Sequence, residues 1–355
     1  MPQLVMIGGF LGAGKTTLML QVAQRLAAQG KRVGLVTNDQ APGMVDTRLV
    51  RLAKFSVAEV SGGCICCRFD EFTGEITHLV RDLQPDVLLV EPVGSCTDLA
   101  ATVLRPLLHY LPGLSIAPLT AVADPAAWLQ MNGRRSMPSE TAYIYQKQLA
   151  EADILLLNKS DVTSRRSMEI VKAQIDALVP RAQILPISAQ TGAGIDRWCR
   201  QVLTSQGSGR PVDVDYDVYG KGEQWLGWLN ATIEFQAIGA PRWQRVLPEF
   251  MHRICHALSE AGEVPAHLKC LLTSGSFMAA GNVTLGSPSP VVRVLRPGPP
   301  QQKAELVVNL RIGLPPRYLR PALTASMGCL NGIQGTILSE RSFAPSQPVP
   351  QHRMA

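Results

Sequence analysis

The sequence predicts an α/β protein: a P-loop nucleotide-binding domain with a mostly parallel sheet flanked by helices, followed by a smaller C-terminal α+β domain. Three observations carry this. Short apolar runs alternate with amphipathic helical stretches through residues 1–205, the pattern of a parallel sheet with crossover helices. The first run, Leu4 to Ile7, leads into Gly9-Phe10-Leu11-Gly12-Ala13-Gly14-Lys15-Thr16, a G-x-x-x-x-G-K-T pattern opening a helical stretch, Thr17 to Ala28. A Gly/Ser-rich segment from Gln206 to Pro211 ends the alternation. The expected boundaries are 1–205 for the first domain, 206–225 for a linker, 226–325 for the second domain, and 326–355 for a partly disordered tail.

Composition narrows the function classes. The 355 residues suffice for two domains, and 46% hydrophobic residues give a sizeable core. No apolar run is long enough to span a membrane. Met1 leads directly into the first strand with no room for a signal peptide, so a cytoplasmic location is expected. The net charge of +6 comes from scattered basic residues without a dense run, so neither a nucleic-acid nor a membrane partner is expected. Eight cysteines in such a chain argue against a disulfide framework, and three of them fall within four residues.

Taken in order, the glycine-rich turn would aim backbone N–H groups and a helix N-terminus at phosphate oxygens. Gly9, Gly12, Ala13, Gly14 and Thr17 belong to this cradle. Lys15 would reach the β- and γ-phosphates, and the Thr16 hydroxyl would hold Mg²⁺. A strand from Arg32 to Thr37 ends in a polar turn, Asn38 to Gly43, placed as a first switch. Its Asp39 is a candidate ligand or water-positioning group, and equally a turn residue or helix cap.

The strand Ser56 to Val60 runs into Ser61-Gly62-Gly63-Cys64-Ile65-Cys66-Cys67. Thiolates at this density suit Zn²⁺ or another thiophilic ion such as Co²⁺ or Ni²⁺. Three sulfurs leave a fourth position open, which suits transfer. A redox pair or inert packing are the alternatives, and Gly62-Gly63 predicts an exposed, mobile loop.

A helix from Phe69 to Leu83 precedes a strand from Asp86 to Val90, apolar on both faces. It ends in Glu91-Pro92-Val93-Gly94, where Glu91 would approach the Mg²⁺ and the Gly94 N–H would sense the γ-phosphate. The alternative for Glu91 is a strand-end surface carboxylate. Cys96 follows, either a small buried residue, a fourth thiolate supplied when nucleotide is bound, or a contact to another protein's metal or cofactor.

Further strands are expected over Ser115 to Asp124, Ile154 to Leu157 and Gln183 to Ile187, with helices over Ser139 to Ala152 and Gly194 to Leu203. Asn158-Lys159-Ser160-Asp161 follows a strand. In that context the Asp161 carboxylate accepts from guanine N1–H and the 2-amino group, Asn158 reads the O6/N7 edge, and the Lys159 stem stacks on the base. Adenine lacks those donors, so GTP is expected over ATP. A backbone N–H of Ser188 or Ala189 is offered to guanine O6. Beyond residue 225, strands are expected over 229–235, 268–273, 291–296 and 305–310, with helices over 243–261 and 317–324.

The phosphate loop, the Gly-Gly-Cys-Ile-Cys-Cys loop, Glu91-x-x-Gly94 and Asn158-Lys159-x-Asp161 together resemble the CobW family of P-loop GTPases. The resemblance is close over residues 4–205 and weaker over 226–325. It implies a slow GTPase that binds a divalent metal at Cys64, Cys66 and Cys67, with Lys15, Thr16 and Glu91 around Mg·GTP, and that couples hydrolysis to metal delivery. The implied partner is a client metalloprotein, with a homodimer left open. The rival within the same resemblance is a chaperone that gates loading of a cobalamin enzyme. Asn38-Asp39 stands where the family usually has Asn-Glu, one methylene longer.

Overall fold

The computed structural model describes residues 1–39, 45–131, 138–239, 241–299, 301–328, 330 and 332–354. Two compact units form: residues 1–222 together with 347–355, and residues 223–346.

The first unit opens with β1 (Gln3–Gly9), α1 (Lys15–Ala28), β2 (Val33–Asp39), α2 (Val45–Leu52), β3 (Ser56–Ser61), α3 (Phe69–Leu83) and β4 (Val87–Glu91). A π-helical turn, Ala100–Leu104, leads into α4 (Arg105–Tyr110). Then come β5 (Ser115–Ile116), β6 (Thr120–Ala123), α5 (Pro125–Met131), α6 (Ser139–Ala150), β7 (Ile154–Leu157), α7 (Arg165–Leu178), β8 (Gln183–Pro186) and α8 (Ile195–Thr204). The strands form one parallel sheet in the order β3-β2-β4-β1-β6-β7-β8, with β5 beside the start of β1. This is the predicted fold class.

The central strands are buried along their lengths, as their unbroken apolar runs require. β1 lies between β4 and β6, so the phosphate loop leaves the sheet at its centre. The carboxyl ends of β4 and β6 flank it, with those of β2 and β7 next outward, the position where open α/β sheets bind ligands. The single strand expected over 115–124 is two pieces. Pro118 has no N–H to donate, and β1 passes from β5 to β6 across the gap.

The expected linker contains α9 (Tyr216–Trp225), in which Tyr219 is buried. Its glycines mislead a propensity reading, since a Cβ on Gly222 would stand 2.5 Å from the Glu140 carbonyl oxygen.

The second unit holds β9 (Gly227–Ala237), α10 (Trp243–Glu260), β10 (Pro265–Ser274), β11 (Phe277–Thr284), β12 (Ser287–Arg296), β13 (Lys303–Ile312), α11 (Leu319–Gly328) and β14 (Ile333–Phe343). The antiparallel sheet runs β12-β11-β10-β13-β9-β14. Trp243, Leu247, Phe250, Met251, Ile254 and Leu258 of α10 recur at helical spacing and pack on Phe235, Leu268 and Leu306.

The tail expected over 326–355 differs from that expectation. It carries the end of α11 and β14, which pairs with β9 along ten register positions, and residues 347–354 lie on the first unit. Among the described residues, no helix is long and apolar enough to cross a membrane.

Candidate functional site

The phosphate loop turns on glycines that no other residue could replace. Gly9, Gly12 and Gly14 all have positive φ. A Cβ on Gly9 would lie 2.2 Å from the Val122 carbonyl oxygen, and one on Gly14 2.3 Å from the Asn158 amide nitrogen. Gly14 caps α1 without a side chain, so no side chain screens the first turn of the helix from an anion. The Lys15 ammonium donates to the Gly9 carbonyl at 2.8 Å and the Phe10 carbonyl at 3.3 Å. Lys15 and Thr16 are buried, while Thr17 is exposed.

The Thr16 hydroxyl gathers two carboxylates. It lies 3.0 Å from Glu91 Oε1 and 2.7 Å from Asp46 Oδ1. Two carboxylates converging on one hydroxyl make a hard-oxygen donor set that repels itself unless a cation is present, which fits Mg²⁺. Asp46, on α2, comes from the segment just after the first-switch turn, to which the sequence gives no specific role. Its only signal was an acidic residue shortly after the first-switch turn. Asp39 ends β2, half-buried and opposite Ser61 of β3. Residues 40–44 of that turn lie outside the described residues. Gly94 sits beside the phosphate loop, where a Cβ would meet Leu11 at 2.7 Å and the Lys15 ammonium at 3.1 Å.

At the base end, Asn158 is a structural bolt. Its amide donates to the Ala13 carbonyl at 2.7 Å and its oxygen accepts the Ala189 N–H at 2.8 Å. The Ser188 N–H donates to the Ala193 carbonyl. Both N–H groups offered to guanine O6 have partners within this structure, where they hold the loop after β8 and Asn158. The Lys159 ammonium is 2.6 Å from the buried Asp124 carboxylate, with Lys159 at φ +63°. Asp124, also missed, orients the lysine stem. Asp161 is exposed, open to a base.

The cysteines form a tight turn into α3. Cys67 and Arg68 both donate backbone N–H groups to the Cys64 carbonyl at 3.0 Å. The Sγ separations are 2.8 Å for Cys64–Cys66, 3.1 Å for Cys64–Cys67 and 3.8 Å for Cys66–Cys67. Sulfurs around Zn²⁺ stand about 3.8 Å apart for tetrahedral bonds of about 2.3 Å, so the turn would open by about 1 Å to take the ion. Hydrogen bonds from Cys66, Cys67 and Cys96 hold the Cys64 thiol well below its ordinary range. Its hydrogen bond to Cys64 raises Cys66, and the same partner pushes Cys67 up to about 11.

The loop is not the exposed one that Gly62-Gly63 predicts. Cys64 and Cys66 are buried, and only Cys67 is half-exposed. Residues of the expected tail cover it. Gln351 donates its N–H to the Cys66 carbonyl at 3.0 Å, and the Val349 N–H reaches the Cys67 sulfur. His352 sits 5.0 Å from both the Phe69 and Tyr110 rings, and Arg353 pairs with the buried Asp98 at 2.8 Å.

Asn38 joins the two sites. Its amide donates to the Val60 and Gly63 carbonyls at 3.0 and 2.8 Å. Its oxygen accepts the N–H of Ile65, between Cys64 and Cys66, at 3.1 Å and that of Val93, next to Gly94, at 3.3 Å. One buried side chain thus binds the end of β3, the cysteine turn and the loop after β4.

A profile of the family described as CobW/HypB/UreG, nucleotide-binding domain, matches residues 3–186. The zinc chaperone YeiR of Escherichia coli K12 is 26% identical over 271 residues, covering 68% of this chain and 79% of that protein. The zinc chaperone CobW of a Sinorhizobium species is 26% identical over 209 residues, covering 52% of this chain and 58% of that protein. Among solved structures, the hydrogenase maturation factor HypB from Archaeoglobus fulgidus aligns with a TM-score of 0.42 at 19% identity, over 57% of this chain and 91% of that one. With the profile spanning more than half of its residues, this chain belongs to the CobW/HypB/UreG family of P-loop GTPases.

Proposed function

We propose that this chain is a GTP-hydrolysing metallochaperone that carries a thiophilic divalent ion, Zn²⁺ before Co²⁺ or Ni²⁺, on Cys64, Cys66 and Cys67 and yields it to a client metalloprotein. The observation that carries the coupling is Asn38, which holds the cysteine turn and the Gly94 loop through one amide oxygen. The zinc-chaperone names of its relatives support the cargo.

The phosphate loop and the first turn of α1 receive the triphosphate, and Lys15 exchanges its loop carbonyls for phosphate oxygens. Thr16, Asp46 and Glu91 would hold Mg²⁺, which when bound neutralises charge on the β- and γ-phosphates. Asp161 selects guanine and the Lys159 stem stacks on it, while Asn158 holds the loop after β8 against the phosphate loop. A γ-phosphate at Gly94 fixes the loop after β4, and through Asn38 the cysteine turn. Hydrolysis removes that restraint and lowers metal affinity, so the ion passes on.

The test is the purified chain assayed for both halves. It is expected to hydrolyse GTP in preference to ATP, to lose at least ~100-fold in rate as Lys15→Ala, and to bind one Zn²⁺ that is lost in Cys66→Ala. Equal turnover of ATP and GTP, or undiminished Zn²⁺ binding in Cys66→Ala, would count against it.

A further inference from the structure

Residues 347–354 carry no regular secondary structure, yet they are tied to the first unit at several points. Half-buried Pro348, Pro350, His352 and Met354 alternate with exposed residues, as in an extended segment laid on a surface. The two prolines fix their own φ, so ordering the segment costs less entropy. We propose that this segment is a strap that closes the cysteine turn, and that the cargo ion reaches and leaves Cys64 and Cys66 when the strap lifts. This rests on the metallochaperone reading and adds a gate to it.

One part of the strap is fixed to the cysteine turn and the helix that follows. The Gln351 N–H donates to the Cys66 carbonyl at 3.0 Å. The Gln351 side chain accepts the Asp70 N–H at 2.9 Å and donates to the Asp70 carboxylate at 3.1 Å, in the first turn of α3. His352 stands edge-on to the Phe69 ring. The other part is fixed to the loop after β4, which runs through buried Ser95, Cys96, Thr97 and Asp98. Arg353 Nε donates to Asp98 Oδ2 at 2.8 Å, and the same oxygen accepts the Tyr216 hydroxyl at 2.8 Å. The Met354 N–H donates to the Ala101 carbonyl at 2.9 Å, in the π-helical turn.

The strength of these anchors is unequal. Asp98 is fully buried, and a buried carboxylate that loses its counter-ion is costly. Arg353 is therefore the latch, while the contacts of Gln351 are exposed hydrogen bonds that exchange readily with water. The two anchors lie on different segments, the cysteine turn and the loop that follows Gly94, so a shift of one relative to the other unseats the strap. A strap that seats with or without the ion changes how fast the ion exchanges and not how tightly it is held at equilibrium. That separates a lid from a ligand.

Two substitutions in the full chain loosen opposite parts of the strap. Arg353→Ala removes the ion pair. Gln351→Pro removes the N–H given to Cys66 and the pairing with Asp70 while leaving Asp98 paired. Arg165→Ala, which removes an exposed arginine on α7, is the control. In the metal-free protein, iodoacetamide modification is followed residue by residue with peptide mass spectrometry. Cys64 and Cys66 are expected to react at least ~10-fold faster in both variants than in the wild type or the control, with buried Cys270 slow throughout. In the Zn²⁺-loaded protein, transfer to an excess of a chromophoric chelator should accelerate in parallel, with the equilibrium affinity unchanged. Unchanged reactivity of Cys64 and Cys66 in either variant would overturn the strap, as would faster modification with unchanged transfer. So would an equal acceleration at Cys270, which would show loss of the fold instead of the opening of a lid. A wild type that binds no Zn²⁺ would overturn the metallochaperone reading, while the modification rates still decide whether the strap closes the turn.

Discussion

The nucleotide cradle and the cysteine pocket lie at the same edge of one sheet but are assembled differently. The cradle is made from contiguous motifs whose backbone geometry is set locally. Three positive-φ glycines make the turn, and one asparagine joins it to the base motif. The pocket is made from pieces far apart in sequence: a turn at 64–67, Asn38 and the segment 349–353. A contiguous motif tolerates change around it, while a pocket assembled at a distance inherits every movement of its parts. That difference makes the pocket the responsive half.

A matched pair of substitutions separates the two designs with the largest effect. In Gly14→Ala, the new Cβ meets Asn158 at 2.3 Å and the residue must hold φ +101°. GTP affinity should fall about 10–100-fold, the equivalent of 1–3 kcal/mol of strain, with metal binding in the absence of nucleotide retained. In Asn38→Ala, two buried N–H groups and two carbonyls lose their partner. The chain should lose about 2–3 kcal/mol in urea denaturation, and metal affinity should cease to depend on the nucleotide. Loss of both nucleotide and metal binding in Gly14→Ala would show the two halves to be one unit.

A smaller effect probes the loop after β4, where the Glu151 carboxylate accepts the Leu99 N–H. Burial raises the Glu151 carboxyl from its ordinary 4.5 to about 8. The folded chain keeps a proton that the unfolded chain releases, so stability falls as pH rises from about 4.5 through 8. Glu151→Gln keeps an acceptor for the Leu99 N–H and removes the proton. Its unfolding midpoint should vary less over that range than that of the wild type, and the two curves should diverge toward pH 8. Parallel curves would mean that the carboxyl is ionised in the folded chain.

What was legible in the sequence follows the same division. The phosphate-loop pattern, Glu91, Asn158 and Lys159 stand out in the sequence because strand, turn and helix place them by local rules. The helix Phe69–Leu83 and the strand Ile154–Leu157 were read to the residue because their apolar spacing is unambiguous. α7 was missed because only Val171 and Ile175 are buried in its fourteen residues. β14 was taken for tail because it is a polar, half-exposed strand, and its inward positions, Ile333, Gly335 and Ile337, alternate too weakly to stand out. Asp46, Asp124, Asn38 and the cover at 349–353 left no motif, since their roles exist only after the sheet has brought distant segments together.

The most direct measurement is the Zn²⁺ affinity of the full chain, by competition with a chromophoric chelator, in the GDP state and with a non-hydrolysable GTP analogue. The account predicts tighter binding with the analogue by at least ~10-fold, a coupling of about 1.4 kcal/mol. Equal affinity in the two states would contradict it, because a nucleotide without differential effect on the metal site cannot drive release.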